Sequence, residues 1–235
     1  MIKAVLFDLD NTLMNFLWMK EQAINNAIFA MLDSSSLNLR FGDVKDEIYG
    51  FYKETNMEDP KVFQKFLEKH NAFSQKNLAK GVIAYRKAKS ANMIPYPSVK
   101  RTLVKLKEKG LRLGVVSDAP SKNAWRRLVE LGIEDFFDVV VTYDDTGKHK
   151  PSDLPFKKAI ETLKIDKENI LFVGDNPKRD VKGAKDIGMK SAFAKYGYYT
   201  SMLPLKPWDK HLQEALKENK PDFILEKFDD LLKVV

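Results

Sequence analysis

The chain has 235 residues, of which 44% are hydrophobic and 31% are charged. This composition is typical of a soluble globular protein with room for one full domain and a modest insertion. No apolar run approaches the roughly 20 residues of a membrane-spanning helix, and the apolar start of the chain is too short for a signal peptide. We therefore expect a cytoplasmic protein without a membrane partner.

The sequence contains no cysteine and only three histidines. Disulfides, a thiol nucleophile and zinc–thiolate or iron–sulfur sites are thereby excluded, so any metal is held by oxygen ligands, which favours a hard cation such as magnesium. The net charge of +7 is compatible with a nucleic-acid partner. The basic residues are scattered without an arginine-rich tract, however, and we favour a lysine- and glutamate-rich surface like that of many heat-adapted proteins.

The first predicted element is a strand at residues 3–7, a continuous apolar run that ends at Asp8, as is typical of buried parallel strands. Residues 14–95 then show helical patterns and no convincing strand. Four helices are predicted there, at residues 15–32, 43–53, 60–69 and 78–89. We therefore predict a helical domain of residues 14–95 inserted into a core domain of residues 1–13 and 96–235.

Strands and helices alternate after the insertion. Further strands are predicted at residues 111–116, 137–141, 170–173, 191–194 and 223–225. Amphipathic helices are predicted at residues 99–109, 123–131, 154–163 and 180–187, and a short closing helix follows the last strand. Residues 198–221 give no firm assignment. The alternation predicts an α/β fold with a doubly wound parallel sheet, similar to the Rossmann fold.

Reactive side chains follow four of the predicted strands, at the carboxyl ends where open parallel sheets bind ligands. The four groups are Asp8 with Asp10, Ser117 with Asp118, residues 148–150, and Asp175 with Asp180. Such carboxylates can hold a divalent cation, attack phosphorus or exchange protons, while a lysine neutralises phosphate. Each group alone also has a structural interpretation, such as a helix cap. Their order and location favour one shared site.

These groups, taken in order, resemble the motifs of the haloacid dehalogenase-like (HAD) superfamily. The matching segments are residues 7–13, 116–118, 150–156 and 174–180. The resemblance implies that residues 14–95 are the cap domain of this family. Residues 81–85 and the domain arrangement look most like an archaeal branch, some members of which are described as glyceraldehyde 3-phosphate phosphatases. A small phosphorylated substrate is therefore implied.

The resemblance also implies catalytic and metal-binding roles. Asp8 would be the nucleophile and a Mg²⁺ ligand, and Asp175 would be another protein ligand of the metal. Asp10 would be the general acid and base, with its backbone carbonyl on the metal. Thr12 would support the loop that carries Asp8, and Asp180 would orient Lys150 or the metal-bound waters.

The same resemblance assigns the substrate phosphate to Ser117, to Lys150 and to backbone N–H groups that include that of Asp118. Lys148 and His149 compete with Lys150 for the role of the lysine or for contacts in the pocket. For His149 we favour a solvated loop position.

The function predicted from these residues is a Mg²⁺-dependent phosphatase that passes through an aspartyl-phosphate on Asp8. Asp10 argues against a dehalogenase, because dehalogenases of this superfamily lack the second acid. Two alternatives remain open: a phosphomutase of the same superfamily, and a basic interaction protein that uses the fold without catalysis. We expect a monomer or a small homo-oligomer.

Overall fold

The computed structural model describes residues 1–35, 37–55, 59–201 and 210–235. The described chain forms two compact units, which we call the core unit (residues 1–17 and 93–235) and the helical unit (residues 18–92). The predicted domain boundaries, after residues 13 and 95, lie close to these divisions. The assignment of residues 14–95 as a cap domain stays a prediction.

A parallel sheet lies at the centre of the core unit. Among the described residues, six strands form this sheet in the order β3-β2-β1-β4-β5-β6, and every neighbouring pair is parallel. The strands are β1 Ala4–Phe7, β2 Arg112–Val116, β3 Val139–Val141, β4 Ile170–Gly174, β5 Lys190–Ala194 and β6 Phe223–Leu225. Each corresponds to a predicted strand, so the α/β fold class with a doubly wound parallel sheet is confirmed.

The central strand β1 determines where the site lies. Phe7 at its end pairs with Val115 of β2 and with Val173 of β4. The strand order reverses between β1 and β4, and in open α/β sheets ligands bind at such a switch point, outside the carboxyl ends of the strands. One residue further on, the backbone N–H of Asp8 donates to the carbonyl of Val173 at 2.9 Å. The sheet therefore fixes Asp8 at the switch point.

The helical unit has its own hydrophobic core. Its helices are α1 Phe16–Ser35, α2 Phe41–Glu54, α3 Val62–Lys69 and α4 Gln75–Ala91, which confirms the four predicted helices. Ile28, Ile48 and Phe66, from three of these helices, are fully buried in one cluster. The described part of residues 18–92 contains no strand.

Helices cover both faces of the sheet in the core unit, as a doubly wound fold requires. They are α5 Val99–Glu108, α6 Ser121–Leu131, α7 Tyr143–Thr146, α8 Asp153–Leu163, α9 Lys182–Asp186, α10 Lys195–Ser201 and α11 Lys210–Glu218. Helix α11 and the end of α10 fall in the stretch that the sequence left unassigned, of which residues 202–209 lie outside the described residues. No helix in the described part of the chain is long and apolar enough to cross a membrane.

One predicted helix differs in the structure. Residues 180–187 were expected to form a single helix, but Pro177–Val181 forms a wider π-helical turn before α9. The side chain of Asn176 accepts from the backbone N–H groups of Lys178 and Arg179, and Asp180 Oδ2 accepts from the backbone N–H of Asn176 at 2.9 Å. These local bonds shape the turn in place of a regular helix start. The predicted short closing helix is present as a 3-10 helix at Phe228–Lys233.

Phe156 of α8 joins this helix to the sheet and to α9. Its side chain is fully buried and meets Phe172 of β4 edge to face, with ring centroids 5.0 Å apart. Gly183 of α9 lies so close that a Cβ there would overlap the Phe156 ring. The ring is therefore closely packed between β4 and α9.

Replacing Phe156 with alanine should lower the free energy of unfolding by about 3–5 kcal/mol, because removal of the ring leaves a cavity in a closely packed core. Chemical denaturation of the purified variant measures the change. Leu154→Ala, on the same helix but 44% exposed, is the matched control and should change stability by only about 0.5 kcal/mol. Similar losses in the two variants would contradict the packing argument.

Candidate active site

Asp8 lies beside Lys150, deep in the core unit. Lys150 Nζ donates to Asp8 Oδ1 at 2.6 Å and to the carbonyl oxygen of Val116 at 3.0 Å, and it forms an ion pair with Asp180 Oδ1 at 2.8 Å. Burial alone would lower the pKa of Lys150, but the charges of Asp180 and Asp8 outweigh it and raise that pKa. The ammonium group therefore stays protonated at neutral pH.

Three carboxylates are buried around this ammonium group. Asp8, Asp175 and Asp180 each offer an oxygen, and these oxygens all lie within 4.8 Å of one another. Burial, followed by the charges of Asp180 and Asp8, raises the pKa of Asp175 well above its usual range. Burial also raises the pKa of Asp180, against the attraction of Lys150. Lys150 and Arg179 attract these carboxylates, but the raised pKa of Asp175 indicates that the cluster is still short of positive charge.

The free oxygen atoms of the cluster suit a hard divalent cation. Asp175 Oδ1 is buried and has no hydrogen-bond partner among the described residues, and such an atom costs free energy unless something binds it. Buried anionic oxygens at close range are the donor set that Mg²⁺ takes in proteins. The described residues therefore fit a divalent cation such as magnesium, which the side chains of Asp8 and Asp175 could hold.

Asp180 occupies a different position in the cluster. Its Oδ2 accepts from the backbone N–H of Asn176 at 2.9 Å, and its Oδ1 faces Lys150. Both oxygens are therefore engaged within the protein. This geometry fits the predicted supporting role of Asp180 better than direct binding of a metal.

Ser117 and Asp118 follow β2 and border the same site. Ser117 is 4% exposed, and its hydroxyl oxygen accepts from the backbone N–H of Ala119 at 3.2 Å. Asp118 Oδ1 accepts from the backbone N–H of Lys150 at 2.8 Å, and Asp118 Oδ2 accepts from Arg179 at 3.1 Å. The Asp118 side chain thus ties the Lys150 segment to the end of β2.

The structure distinguishes among the three candidates for the lysine role. Lys148 is exposed. The His149 side chain is 62% exposed and stacks on Tyr143, with ring centroids 4.4 Å apart. Of residues 148–150, the one brought to Asp8 is Lys150. The solvated loop position that we favoured for His149 agrees with this geometry.

Asp10 is held by a residue that sequence reasoning missed. Arg127 of α6 donates from Nη1 to Asp10 Oδ2 at 2.7 Å, and its side chain is only 2% exposed. The only signal in the sequence is its place on the helix, in register with the apolar stripe of Ala124, Leu128 and Leu131. A charged residue in such a stripe needs a buried partner.

The segment after β5 supports the loop that carries Asp8 and Asp10, which was also not predicted. The Tyr196 hydroxyl donates to the backbone carbonyl of Thr12 at 2.9 Å. A Cβ on Gly197 would overlap the carbonyl oxygen of Asn11, so this close approach requires glycine. Thr12 is fully buried, and its hydroxyl has no hydrogen-bond partner in the described chain. Its contacts are therefore packing and the backbone bond to Tyr196.

The parallel sheet thus carries buried carboxylates at its switch point, the place where open α/β sheets bind ligands. The family model of haloacid dehalogenase-like hydrolases matches residues 5–194, and the chain belongs to this family. This confirms the resemblance seen in the motifs and the prediction that the protein is a hydrolase.

Relatives of known name agree with this family. A glyceraldehyde 3-phosphate phosphatase of Pyrococcus abyssi is 35% identical over 198 residues, which cover 84% of this chain and 83% of that protein. A protein of the same name from Methanopyrus kandleri is 34% identical over 237 residues, covering 100% and 97%. The crystal structure of a HAD phosphatase from Thermococcus onnurineus has a TM-score of 0.64 at 22% identity, covering 99% of this chain and 97% of that one, which shows the shared fold.

Replacing Asp175 with asparagine should stabilise the metal-free protein. The folded-state pKa of Asp175 is raised, so a rise in pH from the unfolded-state pKa through the folded-state pKa progressively disfavours the folded state. In EDTA at about pH 8, the variant should gain about 3 °C in Tm, which corresponds to roughly 1 kcal/mol in a protein of this size. The gain should shrink as the pH falls towards about 4, because the folded-state carboxyl is then protonated and its buried charge is lost.

Asp153→Asn is the matched control for this measurement. A hydrogen bond from Lys157 lowers the pKa of Asp153, so its carboxylate contributes stability above its unfolded-state pKa and its loss brings no gain. A Tm of Asp175→Asn at or below that of the wild type at about pH 8 would contradict the argument from charge repulsion.

Proposed function

We propose that the protein is a Mg²⁺-dependent phosphatase that hydrolyses a small phosphorylated metabolite through an aspartyl-phosphate on Asp8. The observation that carries this proposal is the 2.6 Å contact between Asp8 and the buried ammonium of Lys150, inside a carboxylate cluster that is short of positive charge. A site of this kind can place an anionic nucleophile against an anionic phosphate without strong repulsion. The phosphatase names of the relatives support the same reaction class.

In the first step, an Asp8 carboxylate oxygen attacks phosphorus, and the bond between phosphorus and the ester oxygen breaks. Asp10, protonated at the start, donates its proton to the departing oxygen. In the second step Asp10 takes a proton from water, whose oxygen attacks phosphorus. The Asp8–phosphorus bond breaks, which releases inorganic phosphate and restores both side chains.

The remaining residues bind and position the phosphate. Lys150 contributes its ammonium charge, while Ser117 contributes its hydroxyl and Asp118 its backbone N–H. Asp8, Asp175 and the Asp10 carbonyl would hold Mg²⁺, which would supply positive charge next to the substrate phosphate when bound. Thr12 supports the nucleophile loop through its packing, and Asp180 keeps the Lys150 ammonium in place.

We further propose that the helical unit is the cap domain of the family and selects the substrate. The predicted cap boundaries, residues 14 and 95, lie close to the two ends of the helical unit, residues 18 and 92. Met14 and Pro95 form an antiparallel bridge, so the chain leaves and re-enters the core unit at one place. An insertion attached at a single place can carry residues for substrate choice without altering the sheet.

Replacing Asp8 with asparagine should reduce Mg²⁺-dependent phosphate release from p-nitrophenyl phosphate by at least about a thousandfold, because the amide cannot form the acyl phosphate. Asp186→Asn, an exposed aspartate paired with Lys182 in the core unit, is the control and should retain activity. Brief reaction and acid quench should show a phosphoryl group on the wild type only. Full turnover by the Asp8 variant would contradict the proposed mechanism.

A panel of phosphorylated compounds with Mg²⁺ tests the substrate class. We expect hydrolysis of small esters such as glyceraldehyde 3-phosphate and 2-phosphoglycolate, and loss of that activity in EDTA. Products are followed by free phosphate and by chromatography of the organic part. A phosphomutase would instead give isomerised sugar phosphate without free phosphate. Salt-sensitive nucleic-acid binding without any phosphate release would favour the basic interaction protein.

A further inference from the structure

Arg127 carries a buried positive charge in the core unit. It lies on α6, the helix that follows the Ser117–Asp118 turn, and its side chain is 2% exposed. Its guanidinium carbon lies 4.6 Å from the centre of the Phe16 ring. A guanidinium group is planar, and stacking on a ring restricts how it can turn. Its Nη1 is thereby aimed at Asp10 Oδ2, 2.7 Å away.

Asp10 needs such a restraint, since its side chain is not fully enclosed. The carboxylate is 26% exposed, whereas the buried carboxylate of Asp8 is 6% exposed. The backbone of Asp10 is fixed by a bridge to Met14, but a bridge does not set the side-chain torsions. The bond from Arg127 therefore constrains the direction of the Asp10 carboxylate.

We infer that Arg127 is a positioning residue that holds Asp10 Oδ2, so that the other carboxylate oxygen of Asp10 handles the proton of the leaving group. The inference rests on the proposed function, in which Asp10 is the general acid. An oxygen that accepts from a guanidinium N–H does not carry the transferable proton, so the fixed bond decides which oxygen faces the ester. A small change in the orientation of the acid slows proton transfer, since the donor must lie within hydrogen-bond reach of the acceptor.

This role has a kinetic signature. A leaving group that departs readily as an anion needs little help from an acid, whereas an alcohol needs its proton in the transition state. The pair p-nitrophenyl phosphate and benzyl phosphate differs in this respect while both carry a single aromatic ring. The value of kcat/KM covers the steps up to formation of the phosphorylated Asp8. Hydrolysis of that intermediate, which is the same for both substrates, does not affect kcat/KM.

The experiment compares the ratio of kcat/KM for benzyl phosphate to that for p-nitrophenyl phosphate among variants of the full chain. Arg127→Met keeps an apolar side chain over Phe16 and removes the donors. We expect this ratio to fall at least about tenfold, a share of the 10²–10⁴ that a general acid supplies. Arg127→Lys keeps the charge but not the planar geometry and should recover only part of the ratio.

Two features keep the result interpretable if a variant folds poorly. Misfolded protein lowers both kcat/KM values equally, so the ratio reports only on the folded fraction. Arg126→Met is the matched control, because Arg126 neighbours Arg127 on α6 but is half exposed and pairs with Glu130 at 3.3 Å. Its ratio should equal that of the wild type.

The double variant Asp10→Asn with Arg127→Met shows whether Arg127 acts through Asp10. Asp10→Asn alone should lower the ratio, and adding Arg127→Met should then change it little, because interacting residues are not additive. An unchanged or higher ratio in Arg127→Met, or additive losses in the double variant, would overturn the inference while Asp8→Asn still tests the proposed function. Undiminished turnover by Asp8→Asn, or no hydrolysis of either ester by the wild type, would overturn both.

Discussion

The site depends on one ammonium group among buried carboxylates. Asp8, Asp175 and Asp180 stand within 4.8 Å of one another, an arrangement that repulsion would oppose without the charge of Lys150. Lys150 comes from the segment after β3, at the edge of the sheet, so this segment has to pass β2 to reach Asp8. The hydrogen bond from the Lys150 backbone to Asp118 fixes that path. The route of the chain after β3 therefore determines whether the carboxylates receive the positive charge of Lys150.

The fold and the clustering of the candidate site residues could be predicted from the sequence, because both follow from the pattern of the strands. Buried parallel strands are short apolar runs, and each run that matters here ends in a polar residue, as β1 ends before Asp8. Parallel pairing in register places these ends at one edge, with Phe7 beside both Val115 and Val173. Local pattern and sheet geometry therefore suffice to bring the end of β1 next to that of β4, with no knowledge of packing.

The residues that sequence reasoning missed depend on tertiary packing. Arg126 and Arg127 are adjacent on the same helix, yet one is half exposed and the other is buried under an ion pair with Asp10. Tyr196 lies in the segment after β5, and its hydroxyl donates to the carbonyl of Thr12 in the loop that carries Asp8 and Asp10. The π-helical turn at Pro177–Val181 was also not predicted. Hydrogen bonds that the Asn176 side chain accepts from the backbone compete there with the regular helix that the pattern indicated.

The contact between Lys150 and Asp8 joins residues that are 142 positions apart in the chain. At typical translation rates, Lys150 is synthesised roughly 7 to 30 s after Asp8. Strand β1 has no partner in the sheet until β2 is made, and its side chains are apolar on both faces. Of the six described strands, β1 thus waits longest for its neighbours. During that interval an apolar strand is exposed, and exposed strands of this kind are prone to pairing with other chains.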